Sequence, residues 1–167
     1  FGVDPAKNIY KISSKKHKII CDFFTEKVIS KLPKKFDLII SQNSFAHNPN
    51  PFKFLGNVKK LMHDESTLVI QTSQADMCRN FEFDTIYHEH YSYLSLTSVD
   101  KIFKTNGLKI FDVEELSTHG GSLRIYSQRA DKGRHSIKSS VNLLKEKENS
   151  LGISNINFYN NFQIKIE

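Results

Sequence analysis

The chain has 167 residues, 38% of them hydrophobic and 13 of them Phe, and it carries 24 Lys+Arg against 18 Asp+Glu. This is enough apolar material for one substantial core, and it excludes a disordered chain. No apolar run approaches the length of a membrane span, so no membrane partner is expected. Nine of the lysines lie between Lys7 and Lys35 with no Arg among them. Without interleaved Arg and aromatic residues, they read as a solvated face and not as a nucleic-acid groove. Cys21 and Cys78 form no C-x-x-C pair, which gives neither a zinc knuckle nor a disulfide framework and suits a reducing, cytoplasmic setting.

The opening F-G-V-D-P reads as the end of a strand entering its turn, as though the sequence begins inside a domain. Pro5–Ser14 can form a short helix, with proline tolerated in its first turn. Lys18–Phe24 has the length and character of a strand. Thr25 can cap a helix carrying Val28, Ile29 and Leu32 on one face before Pro33 ends it. Phe36–Ser41 is short, apolar and β-branched, the pattern of a strand buried on both sides. A polar loop then leads to a helix over Phe52–Met62 and a strand over Thr67–Thr72.

Strand and helix alternate here, which predicts right-handed crossovers and a mostly parallel sheet. Ligands of such sheets bind beyond the carboxyl ends of the strands. Asp4, Asp22, Asn43–His47 and Gln71–Asp76 each follow an apolar run and collect at that end. Ser98–Asn106 is a predicted helix stopped by Gly107. Leu108–Leu116 and Ser122–Gln128 are strands joined closely enough for an antiparallel hairpin. From Arg134 onward Ser, Lys, Glu and Asn dominate, and Val141, Leu143, Leu144 and Leu151 suggest an amphipathic helix.

Phe83–Ser95, reading FDTIYHEHYSYLS, is the predicted reaction centre. It crowds His88, His90, Glu89, Tyr87, Tyr91 and Tyr93 together, and such groups need hydrogen-bond partners if buried. Three readings fit: acid–base chemistry by one histidine, a structural polar network, or metal binding. If the segment is extended, His88 and His90 share a side, and a third metal ligand would come from His47 or His119. Elsewhere, Asp4 fits a ribose-binding carboxylate or a turn residue. Asp22 and Phe23 fit adenine recognition, or a helix N-terminal acid beside two core phenylalanines, Phe23 and Phe24. Asn43 and His47 fit cofactor and substrate contacts or a capping loop. His119, Ser122 and Arg124 flank a Gly-Gly turn and could bind phosphate or a sugar hydroxyl.

With these residues in view, the chain resembles the C-methyltransferases that act on nucleotide-linked keto-deoxysugars with S-adenosylmethionine (SAM). The matching landmarks are Gly2–Pro5, Asp22–Thr25, Asn43–His47, Phe83–Ser95, Gly107–Leu108 and His119–Arg124, in family order. The resemblance implies an α/β fold: an incomplete Rossmann-like class I methyltransferase sheet, mostly parallel with a C-terminal antiparallel hairpin. By that comparison residues 1–133 are a partial methyltransferase domain lacking the first strand and Gly-rich loop. Residues 134–167 are then a helical linker and the start of a C-terminal α/β domain. Zinc belongs only to an N-terminal region outside this sequence, and no metal is implied for this chain.

The family's base matches His90, with Tyr87, Glu89 and His47 at matching substrate positions, and His88 in a supporting role. Asp4, Asp22, Phe23 and Asn43 are the candidate cofactor-binding residues, and His119, Ser122 and Arg124 the candidate substrate-binding residues. The family usually places Glu near Gln71, so this chain departs there. The implied reaction removes the proton next to the sugar's 4-keto group, and the resulting enolate attacks the sulfonium methyl. The piece alone is expected to show no methyl transfer. A silent truncated remnant and a basic nucleic-acid-binding domain are the competing expectations.

Overall fold

Four strands form one sheet in a computed structural model that describes residues 1–75, 86 and 88–160. In chain order the elements are β1 (Gly2–Val3), α1 (Lys7–Ser13), β2 (Ile19–Ile20), α2 (Glu26–Ile29), β3 (Phe36–Gln42), α3 (Pro51–Lys60) and β4 (Met62–Ser73). Then come α4 (Leu96–Thr105), β5 (Leu108–Leu116), β6 (Ser122–Arg129), α5 (Ser139–Leu151) and α6 (Ile156–Asn160). The four-stranded sheet has the order β3-β4-β6-β5, and β1 and β2 form a separate two-stranded sheet. β1–β2 and β3–β4 pair in parallel. The β5–β6 hairpin is antiparallel and lays β6 antiparallel against β4.

The core lies where α3, α4 and the start of α5 pack on the four-stranded sheet. Leu55 and Val58 of α3, Val99 and Phe103 of α4, and Val141 and Leu144 of α5 join Leu68, Ile70, Leu108, Ile110, Leu123 and Ile125 in one cluster. Leu68 with Ile70, and Leu123 with Ile125, stand two residues apart, so each pair faces the same side of the sheet. A methyl(ene)-rich side chain buried there stabilises the fold by about 1.5–3 kcal/mol.

Four expectations change. The predicted strand Lys18–Phe24 shrinks to Ile19–Ile20, because its ladder is only as long as its partner: Gly2 pairs with Ile19 and Val3 with Ile20. Asp22 therefore sits in a bend and not at a strand end. β3 is not buried on both sides. Leu38 is 53% and Ile40 58% exposed, since among the described residues β3 pairs only with β4. Thr25 occupies the N-cap position of α2, but its hydroxyl makes no capping bond. By contrast, β4 begins five residues earlier than predicted. Phe36 pairs with Met62 and Leu38 with Thr67 across an irregularity that absorbs the extra residues.

A groove of about 490 Å³ separates the two sheets. Gly2, Val3 and Asp4 line one side, and Phe36, Leu38 and Ile40 line the other. Phe1 and Phe36, at the starts of the two strands, meet edge to face with ring centroids 6.0 Å apart.

Candidate active site

The loop after β3 is built around Phe45, which is fully buried. Its ring packs on Phe54 of α3 (5.6 Å) and on Phe103 of α4 (6.2 Å). Aromatic pairs in these geometries add about 0.5–1.5 kcal/mol beyond burial. With Phe45 and Ala46 anchored, the flanking polar residues have fixed places. Asn43 adopts φ 49°, a left-handed conformation that Asn tolerates better than most residues, and its N–H donates to the Gln71 carbonyl at 2.8 Å. Asn43 thus follows the carboxyl end of β3, tied to the same end of β4.

Four chain segments converge here through backbone hydrogen bonds. Tyr91 N–H donates to the Ala46 carbonyl (3.0 Å) and Ala75 N–H to Leu94 (2.9 Å). Gln74 N–H donates to Gly121 in the hairpin turn (3.0 Å). The loop after β3, the end of β4, the stretch before α4 and the β5–β6 turn are therefore fastened together. Distant sequence becomes one site.

Within it the His47 and His90 rings stand 4.8 Å apart, centroid to centroid, at 62°. Tyr93 lies edge-on to His90 at 5.7 Å. Both imidazoles are half-buried, and His47 also lines the groove between the sheets. The stretch is not extended at His88 and Glu89, which form a turn. That turn undoes the shared face expected for His88 and His90: the His88 side chain is 91% exposed and reaches Glu89 at 4.0 Å. Glu89 is likewise largely exposed and joins neither His47 nor Tyr93 in the contacts described. Tyr87 and the segment 76–85, including Cys78, lie outside the described residues. Among the described residues there is no cluster of three metal-ligating side chains. Among them, too, no helix is long and apolar enough to cross a membrane.

The cofactor candidates divide. Asp4 and Phe23 line the groove with His47, whereas Asp22 and Asn43 are not among its lining residues. One Asp4 oxygen accepts the Ala6 N–H at 2.8 Å, and a carboxylate retains further acceptor sites. The Phe23 ring is largely exposed, a flat apolar surface on the groove. Asp22 accepts the N–H of Phe23 at 2.8 Å. A ribose and an adenine ring suit the first pair chemically.

The hairpin candidates divide as well. His119 is exposed at φ 54°, followed by Gly120 and Gly121, both at positive φ. Ser122 is fully buried, and its hydroxyl donates to the Thr118 carbonyl at 2.9 Å, so it holds the turn together from inside. Arg124 donates to Gln71 Oε1 at 3.1 Å and pairs with Glu114 at 3.3 Å. Gln71, where a carboxylate was expected, thus orients the guanidinium from the neighbouring strand. The sequence points to the stretch holding Tyr93 but gives that ring no role. Its separation of three from His90 is a signal only once the local fold is known.

Residues 1–113 match the family model described as a methyltransferase domain, and the chain belongs to that family. Residues 117–167 match the C-methyltransferase C-terminal domain. Over 171 residues the chain is 29% identical to the C-methyltransferase NovU of Streptomyces niveus, covering 99% of this chain and 40% of that protein. The chain thus spans well under half the length of this relative. Among solved structures, a SAM-dependent methyltransferase from Archaeoglobus fulgidus superposes with a TM-score of 0.60 at 16% identity. The match covers 77% of this chain and 75% of that one. Magnesium protoporphyrin IX methyltransferase from Synechocystis PCC 6803, with bound SAM, gives 0.55 at 15% identity over 77% of this chain and 58% of that one. These likenesses establish the Rossmann-like methyltransferase fold.

Proposed function

We propose that this chain is the catalytic part of a SAM-dependent C-methyltransferase acting on a nucleotide-linked 4-keto-deoxysugar. The observation that carries the reading is the apposition of His47, His90 and Tyr93 where the strand ends meet, beside the groove holding Asp4 and Phe23. Bound SAM supplies an electrophilic methyl group. The chain's own residues do the rest. Neutral His90 takes the proton from the carbon next to the ketone, and its proximity to His47 keeps a second imidazole at hand to stabilise the enolate oxygen. Tyr93 packs on His90 and limits its orientations. Asp4 would accept from the ribose hydroxyls and Phe23 would pack on the adenine of the bound cofactor. Arg124, aimed by Gln71 and Glu114, and the His119 turn are suited to the anionic, hydroxyl-rich nucleotide sugar. The similarity to NovU supports C-methyl transfer, and the substrate class rests on the motif resemblance.

The test separates proton removal from methyl transfer. The longer polypeptide carrying this chain, given the keto-sugar in D₂O without SAM, exchanges the proton next to the ketone for deuterium. His90→Asn lowers that exchange, and transfer from methyl-labelled SAM, by roughly 10²–10⁴-fold. Undiminished exchange in His90→Asn would remove His90 as the base. Salt-sensitive binding of mixed oligonucleotides without SAM binding would favour a basic nucleic-acid-binding domain instead.

A further inference from the structure

The apolar stripe of α5 contains a misfit. Val141 and Leu144 face the core, and the next position of that stripe, three to four residues per step, is Glu148. Glu148 is buried, at 3% exposure. A carboxylate taken out of water there is costly unless its oxygens are hydrogen-bonded.

It is hydrogen-bonded, to the start of α4. Glu148 Oε1 accepts Leu96 N–H at 2.6 Å, and Oε2 accepts both the N–H and the hydroxyl of Thr97, at 2.7 and 2.6 Å. Ser95 takes the N–H of Ser98 at 3.2 Å, and Val99 N–H reaches the Ser95 carbonyl at 3.0 Å. Every orphan N–H of the first turn of α4 is therefore satisfied, two of them by a side chain about fifty residues away. The carboxylate also meets the positive end of the helix dipole.

Leu96 directly follows the His90–Ser95 stretch. That stretch is held by Ala46 at Tyr91, by Ala75 at Leu94, and by Glu148 at its exit. Of these three ties, the one from Glu148 alone comes from the segment that matches the C-terminal domain. We propose that Glu148 is a positioning residue: through the first turn of α4 it fixes the stretch that carries His90 and Tyr93, and so couples the seating of α5 to the geometry of the site. The proposal rests on the assignment of the site to His47 and His90. Its test uses neither substrate nor SAM, so it fails or stands separately from the reaction.

Amide hydrogen exchange and imidazole ¹⁵N shifts are compared in the wild-type chain, Glu148→Ala, Glu148→Gln and Asp100→Asn. Asp100→Asn is the control. It loosens α5 from α4 by removing the Lys145–Asp100 pair (2.6 Å) and leaves the first turn of α4 untouched. In Glu148→Ala, exchange at Tyr91 and Ala75 accelerates at least tenfold and the His47 and His90 signals move, while Leu68–Ile70 keep their protection. Glu148→Gln, which keeps an acceptor oxygen, falls between wild type and Ala. Asp100→Asn leaves the Tyr91 rate and the ring signals unchanged. Wild-type rates at Tyr91 and Ala75 in Glu148→Ala overturn the proposal. So does equal acceleration at Leu68–Ile70, or the same response in Asp100→Asn. If Glu148→Ala does not fold, the comparison of Glu148→Gln with Asp100→Asn decides by the same criteria.

Discussion

His119 and Asn43 are the two non-glycine residues with positive φ among those described, and both stand at the proposed site. Left-handed backbone disfavours an L side chain by about 1–2 kcal/mol. A strained residue kept at such a place points to a side chain with a task. His119→Gly relieves the strain, and the greater freedom of glycine in the unfolded chain offsets part of the gain. The expected outcome is a thermal midpoint equal to or above wild type, together with weaker binding of the nucleotide sugar to the longer polypeptide. Unaltered binding in calorimetry would make the residue an ordinary turn element. At this scale the sequence was only half legible. Residue types and their clustering marked the stretches Asn43–His47 and Phe83–Ser95, and the family resemblance alone set His90 apart within the second. The burial of Ser122 and the exposure of His88 depend on local turns that no spacing rule specifies.

Elements hold the site through a few side chains at their ends. Phe45 pins the loop after β3 between α3 and α4, and Phe45→Ala should cost about 3–5 kcal/mol, read as a fall in denaturation midpoint. The α4–α5 contact has its own pH signature. Burial pushes the Asp100 carboxyl up, but hydrogen bonds from the Lys104 and Lys145 ammonium groups outweigh it and hold it below the ordinary carboxylate range. Because the folded value is depressed, the contribution is fully present above the unfolded value of about 3.9 and is lost as pH falls through the folded one. With solvent screening of the exposed Lys104 partner allowed for, Asp100→Asn should cost about 1 kcal/mol at neutral pH. Its thermal midpoint should also fall less steeply than wild type below about pH 4; parallel curves would remove Asp100 from the acid response. Apolar spacing located α3, the Gly107 stop α4 and the short connection the β5–β6 hairpin, each closely, because these signals are local. β2 was overextended because the length of a strand depends on its partner, which is not local information.

In the whole molecule, two sheets flank a groove lined by apolar side chains from both. The methyltransferase family was legible from its motifs, since these sit at strand ends where the sheet topology gathers them. The lack of a first strand was an implication of that resemblance alone, while the residues of Phe36–Ser41 by themselves read as a strand buried on both sides. For the 167-residue chain by itself, no methyl transfer is expected in a labelled-SAM assay, because the two halves of the proposed cofactor groove are not joined by a strand among the described residues. Measurable turnover would show that the groove needs no additional strand.

The open side of β3 has a consequence for the protein in the test tube. Leu38 and Ile40 present more than half their surface along a strand whose backbone is paired on one side among the described residues, and such rows template the strands of other molecules. Storage should therefore be limited by concentration: light scattering at 37 °C should rise after a lag that shortens as protein is added, and preformed aggregate should seed it. Ile40→Lys, a charge set on that row, should lengthen the lag while leaving circular dichroism unchanged. A lag indifferent to this charge would locate the sticky surface elsewhere.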